Sequence, residues 1–124
     1  MLSVDRIYDY SRVCSAIMDV DPQIRFVGVI NDRGRLVAGG MRENVTPLES
    51  ERDDEMMFME LALRVKMRRE FDLQLGKVRF ALASRDKALA ISVLLNEDIL
   101  YVVAEPEADY GNLPKKILEI VHTP

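Results

Sequence analysis

Apolar residues enter the chain at helical spacings. Between Ser3 and Asp19, Val4, Ile7, Tyr8, Cys14, Ile17 and Met18 recur with Asp5, Arg6, Asp9 and Arg12 among them, which predicts an amphipathic helix with Ser3 as its cap. Asp21-Pro22 ends it, because a residue before proline is pushed out of the helical region. The pattern then changes. Ile24 to Ile30 is rich in β-branched and aromatic residues, and Arg35 to Met41 resumes after Asn31-Asp32-Arg33-Gly34, a hairpin signal. Phe26, Val27, Val29 and Ile30 are apolar on both alternating faces, so the first strand should be covered on each side. Gly39-Gly40 marks a bulge or a close backbone approach; the following Met41-Arg42-Glu43 does not supply the Lys-Ser or Lys-Thr of a phosphate loop.

Ser50 opens the most informative segment. Asp53 lies three residues on, as in a capping box; Glu51, Asp53, Asp54 and Glu55 crowd the start, and Arg64, Lys66, Arg68 and Arg69 crowd the end. Acid first and base last complements the helix dipole, so these charge runs are first a source of helix stability. Projected at about 100° per residue, Phe58, Leu61, Ala62 and Val65 fall on one side, and Met56, Met59, Leu63 and Met67 gather about 155° away. A surface helix needs one apolar stripe, so two imply a helix packed on both sides. The second face is covered either by the protein's own helices or by another chain, for which flexible, polarizable methionine is well suited.

Past Gly76, strands are expected at Lys77 to Ser84, Ala88 to Leu95 and Ile99 to Glu105. The connections are too short for crossover helices, so the three form an antiparallel meander. Lys77, Arg79 and Ala81 alternate with Val78, Phe80 and Leu82, the pattern of an edge strand with one buried face. Ile91 to Leu95 and Ile99 to Val103 alternate little and belong inside the sheet. A last helix follows, with Asn112 or Asp109 as cap, Pro114 in its first turn and Leu113, Ile117, Ile120 and Val121 on one face.

The 124 residues suit one domain, 1–124, with no linker, repeat or low-complexity tract. A single Cys14 precludes an internal disulfide, and no stretch reads as a signal peptide or membrane span, so a cytoplasmic location is expected. A net charge of -4 argues against phosphate-dominated nucleic-acid binding. One histidine, His122, and one cysteine cannot furnish a zinc set, and the chain carries no phosphate-binding loop, dinucleotide fingerprint or nucleophile elbow. Asp53-Asp54 and Glu105 with Glu107 read as solvated pairs. No catalytic, cofactor-binding or metal-binding residue is therefore assigned.

The order αββαβββα, the hairpin from Val27 to Val37, and Ile99 to Val121 with Asp109-Tyr110-Gly111-Asn112-Leu113 opening the last helix resemble the dynein light chain roadblock family. The chain is also similar to small uncharacterised archaeal proteins of this shape. The resemblance implies an α+β, profilin-like fold: a five-stranded antiparallel sheet, the first and last helices on one face, the middle helix on the other. It further implies a homodimer built from the middle helix and third strand, and a regulatory or scaffold role, with small GTPases as partners. Carried onto this chain, that interface falls on Met56, Met59, Leu63 and Met67 with Lys77, Arg79 and Ala81. The longer acidic approach from Glu43 to Glu55 and the basic helix end depart from the family and alter the surface a GTPase would meet. A small-molecule sensor is the alternative, marked by an internal cavity with converging polar groups; an enzyme with a composite site at a dimer interface is a third reading.

Overall fold

The structure, a computed structural model, describes residues 6–123. Along the chain come α1 (Tyr10–Met18), β1 (Ile24–Ile30), β2 (Leu36–Met41), α2 (Glu51–Arg69), α3 (Asp72–Leu75), β3 (Ala81–Ser84), β4 (Leu89–Leu95), β5 (Asp98–Ala104) and α4 (Leu113–His122). The strands make one antiparallel sheet in the order β2-β1-β5-β4-β3. The little-alternating strands β1, β5 and β4 are thus its interior, because both faces are covered. Val27, Val29, Ile91, Val93, Leu100 and Val102 pack with Cys14 and Ile17 of α1 and Leu113, Ile117 and Val121 of α4. On the opposite face Phe26, Ile30, Ile99, Tyr101 and Val103 meet Phe58, Ala62 and Val65 of α2. Phe26, Phe58 and Tyr101 form an aromatic triad with centroids 5.9, 6.1 and 6.2 Å apart, each pair contributing about 0.5–1.5 kcal/mol beyond its burial.

Three expectations change or are narrowed. The first helix begins at Tyr10, and Ser3 lies outside the described residues. Asp9 takes the cap, accepting from the Arg12 amide at 3.3 Å, while Tyr8 stacks on Tyr10 at 6.4 Å and Arg6 lies over Tyr8. The glycine signal in β2 is a close approach at Gly39 and not a bulge. Gly28 faces Gly39 and Val27 faces Gly40 in unbroken register; the irregularity lies further on, between Val29 and Ile30.

The third change is at the sheet edge. Only Ala81–Ser84 of the expected strand pairs with β4, so Lys77 and Arg79 precede β3 instead of belonging to it. Alternation does fix an extended backbone, but pairing also depends on where the chain arrives. The short turn α3 and Gly76, with φ +82°, deliver it to the edge only at Ala81. Val78 and Phe80, expected to be buried, are 37% and 40% exposed.

Candidate protein-binding surfaces

Ser50 starts α2 as its sequence suggests, its hydroxyl accepting from the Asp53 amide at 3.2 Å. Of the two apolar stripes, the one carrying Phe58, Ala62 and Val65 is buried on the sheet. The other is open: Met56, Met59, Leu63 and Met67 are 59–62% exposed, and no described element covers them. The tip of the β1–β2 hairpin flanks this stripe, with Gly34 at φ +78° so close that a Cβ there would lie 2.8 Å from the Met59 backbone. Beyond the helix Phe71, Leu73 and Leu75 are exposed as well. An apolar run of this extent is uncommon on a monomer's surface. Arg52 and Glu70 fall in line with the stripe at its two ends; both are exposed and neither is in an ion pair among the described residues.

The edge strand lies in a different direction. The α2 residues turned toward β3 are Met57, Glu60, Leu61, Arg64 and Arg68, centred about 115° around the helix from the methionine stripe. They form one wall of a trough of about 210 Å³ floored by Ala81 and Ala83 of β3 and by Ala90 and Ser92 of β4, with Arg85 and Tyr101 also lining it. Sequence reasoning missed this third face; its signal was the spacing of Glu60, Arg64 and Arg68, one turn apart. Ala81 is half-buried in β3, whereas Lys77 and Arg79 are exposed beside the part of β4 that outruns β3. His122 lines that same recess at the exposed end of α4.

Titratable groups gather in one place on the α2 face. Glu49, just before the helix, shares a hydrogen bond with Asp54, which with partial burial raises its carboxyl to about 7 although Arg25 opposes the shift. Arg25 pairs with Glu105 and donates to the Thr46 carbonyl at 2.6 Å. Burial, then the charge of Glu49, holds the Tyr101 phenol above its ordinary range. On the other face the Cys14 thiol is buried and pushed up to about 11 by desolvation, so it is a poor nucleophile at neutral pH. Among the described residues no group of three or more His, Cys, Asp or Glu is placed to hold a metal ion. No helix among the described residues is long and apolar enough to cross a membrane.

A family model described as a family of unknown function, DUF6659, matches residues 2–123. The chain belongs to that family. Solved structures supply the architecture. A Roadblock/LC7 domain from Streptomyces avermitilis is similar at 16% identity over 92% of each chain, with a TM-score of 0.67. The gliding protein MglB from Thermus thermophilus is similar at 12% identity over 96% of this chain and 93% of that one, with a TM-score of 0.69. An MglB with a tetrameric arrangement gives 12% identity, 96% and 95% coverage and a TM-score of 0.67. No curated protein matches the chain. At these identities the likeness establishes the fold, and the fold is that of a Roadblock/LC7 domain.

Proposed function

We propose that residues 1–124 act as one roadblock-like domain, a non-enzymatic, cytoplasmic, homodimeric module that regulates or scaffolds a small GTPase. The observation that carries this reading is the exposed stripe Met56, Met59, Leu63 and Met67 on the central helix of a roadblock fold. The charge pattern of α2 supports a second copy as the cover. Laid antiparallel on itself about its middle, the stripe sets Met59 against Leu63 and Met56 against Met67 of the other copy. The same register brings Arg52 to Glu70 at both ends, so a two-fold axis satisfies every pair twice. A tetrameric arrangement in one structurally similar MglB fits a fold that associates with itself.

In this reading the stripe is a contact between copies, and the separate edge with Lys77, Arg79 and Ala81 meets the second copy or the partner. Regulation without catalysis agrees with a sequence that has no phosphate-binding motif. The test is capture on the immobilised protein from its native cell, with the extract loaded with either a diphosphate or a non-hydrolysable triphosphate guanine nucleotide. Recovery of a small GTPase in one nucleotide state is expected. Nucleotide hydrolysis by the purified chain itself, lost in a point variant, would contradict the non-enzymatic role.

A further inference from the structure

We infer that the free edge of β2 binds an extended segment of a partner protein as an added antiparallel strand, basic at its start and acidic at its end. The sheet has two edges, and β2 lies at the opposite side from β3, so this edge stays open when a second copy takes the third strand. It is also the longer edge, six residues against four. One side of β2 is spent on β1: the Arg42 amide donates to the Arg25 carbonyl at 2.8 Å, and the Arg35 carbonyl accepts from the Asn31 amide at 2.9 Å. Counting back from Arg42, alternation turns the backbone groups of Met41 and Gly39 outward. Both residues are exposed, whereas Gly40 and Ala38 between and beside them are half-buried. Sheet edges are ordinarily protected by charge, proline or a covering element. Leu36–Met41 carries no charge and no proline, and Leu36, Val37 and Met41 are 36–50% exposed.

The charges at its two ends select the occupant. Arg33 and Arg35 stand exposed where the hairpin enters β2, and Glu43 stands exposed just past its end; none of the three is in an ion pair among the described residues. Asp32 in the turn offsets one of the arginines and leaves that end cationic. Arg42 adds no free charge at the other end, because its guanidinium donates to the Met18, Asp21 and Ile24 carbonyls at 2.7, 2.9 and 2.6 Å. A strand running antiparallel to β2 passes Glu43 first and the arginines last, so a base at its start and an acid at its end pair with both. From Arg35 to Glu43 the edge spans about 27 Å at about 3.4 Å per residue, the length of about nine residues. Gly39 and Gly40 place no side chain over the middle, where another backbone would come closest. A second copy fits less well, because β2 laid on itself meets the left-handed Gly39 at φ +83° and the unpaired Val37 twice, whereas a partner strand meets each once.

The probe is a fluorescently labelled peptide of about nine residues, alternating threonine and valine, with lysine first and glutamate last. Its controls are the same peptide with the two charged residues exchanged, and one N-methylated on the amides that would face β2. Titrated against the intact chain by anisotropy, the lysine-first peptide is expected to bind about fivefold more tightly than the exchanged one, and the N-methylated peptide is expected not to bind. Amide NMR should show shifts and slowed exchange at Gly39 and Met41. The double variant Arg35→Glu, Glu43→Lys keeps the backbone edge and should reverse the preference between the two charged peptides. Equal affinity for those peptides, retained binding of the N-methylated one, an unreversed preference in the double variant, or shifts confined to other surfaces each overturn the inference. A change of oligomeric state in Glu43→Lys overturns it too, because the edge is then the seat of a second copy. Leu63→Asp separates this edge from the stripe, since it is expected to change the oligomeric state and leave peptide binding at β2 intact.

Discussion

Gly39 sits in β2 with φ +83°, and a Cβ on it would collide with the Val27 carbonyl oxygen across the strand pair. Gly39→Ala is therefore expected to cost about 3 kcal/mol or more, combining left-handed strain with a forced separation of β2 from β1. Denaturant melts of the unaltered and Gly39→Ala chains measure it. Glu49 makes a different prediction. Its carboxyl is raised from 4.5 to about 7 in the folded chain, first by the hydrogen bond with Asp54. A raised acid contributes stability that is fully present below its unfolded value and is lost as pH rises through the folded one. Melting temperature should thus fall between about 4.5 and about 7, and Glu49→Gln, which keeps a donor for Asp54, should flatten that slope. A slope unchanged in Glu49→Gln refutes the assignment. At this scale the sequence was legible where chemistry is local: Ser50 caps α2, and Asp109 organises the turn before α4 by accepting from Gly111 at 3.0 Å and Asn112 at 3.3 Å. Even there Asn112, the formal cap, makes no side-chain capping bond. The Glu49–Asp54 pair joins a loop to a helix, and nothing in residue spacing reveals a shared proton.

Among the elements, α2 is the one whose two faces could be read before any coordinates. Period 3.6 separates Phe58, Ala62 and Val65 from Met56, Met59, Leu63 and Met67, and the structure leaves the second set open. What periodicity could not give was the angle between that stripe and the sheet edge, which depends on how the helix is laid across β1 and β5. The edge strand was legible in kind and not in length, since Val78 and Phe80 keep a strand's alternation without a strand's pairing. For α2 the expected antiparallel register has its own test. Arg52→Glu should weaken self-association about tenfold by setting two acids together at each end, and adding Glu70→Arg should restore it. Sedimentation equilibrium of the single and double variants measures this. Weakening without recovery in the double variant rejects the register while leaving the stripe in play.

At the scale of the whole molecule, α1 and α4, the five-stranded sheet and α2 lie in layers among the described residues, and the outer side of α2 is unfinished. The layer order was readable because β1, β4 and β5 are apolar on both faces, which requires cover above and below. The completing surface was readable only as apolar, since the identity of what covers it is not encoded in this chain's own packing. If a second copy completes it, an interface of about 1,600 Å² in total is expected. Leu63→Asp then places a charge near the two-fold axis from each copy, costing about 2–4 kcal/mol of association through desolvation and lost packing. Because Leu63 is 60% exposed in the isolated chain, the fold itself should be indifferent to the change. Sedimentation velocity of the unaltered and Leu63→Asp chains, with circular dichroism on the same samples, is the most direct measurement. A dimer that becomes a folded monomer is the expected result; an unaltered chain already monomeric, or a Leu63→Asp chain still dimeric and folded, contradicts it.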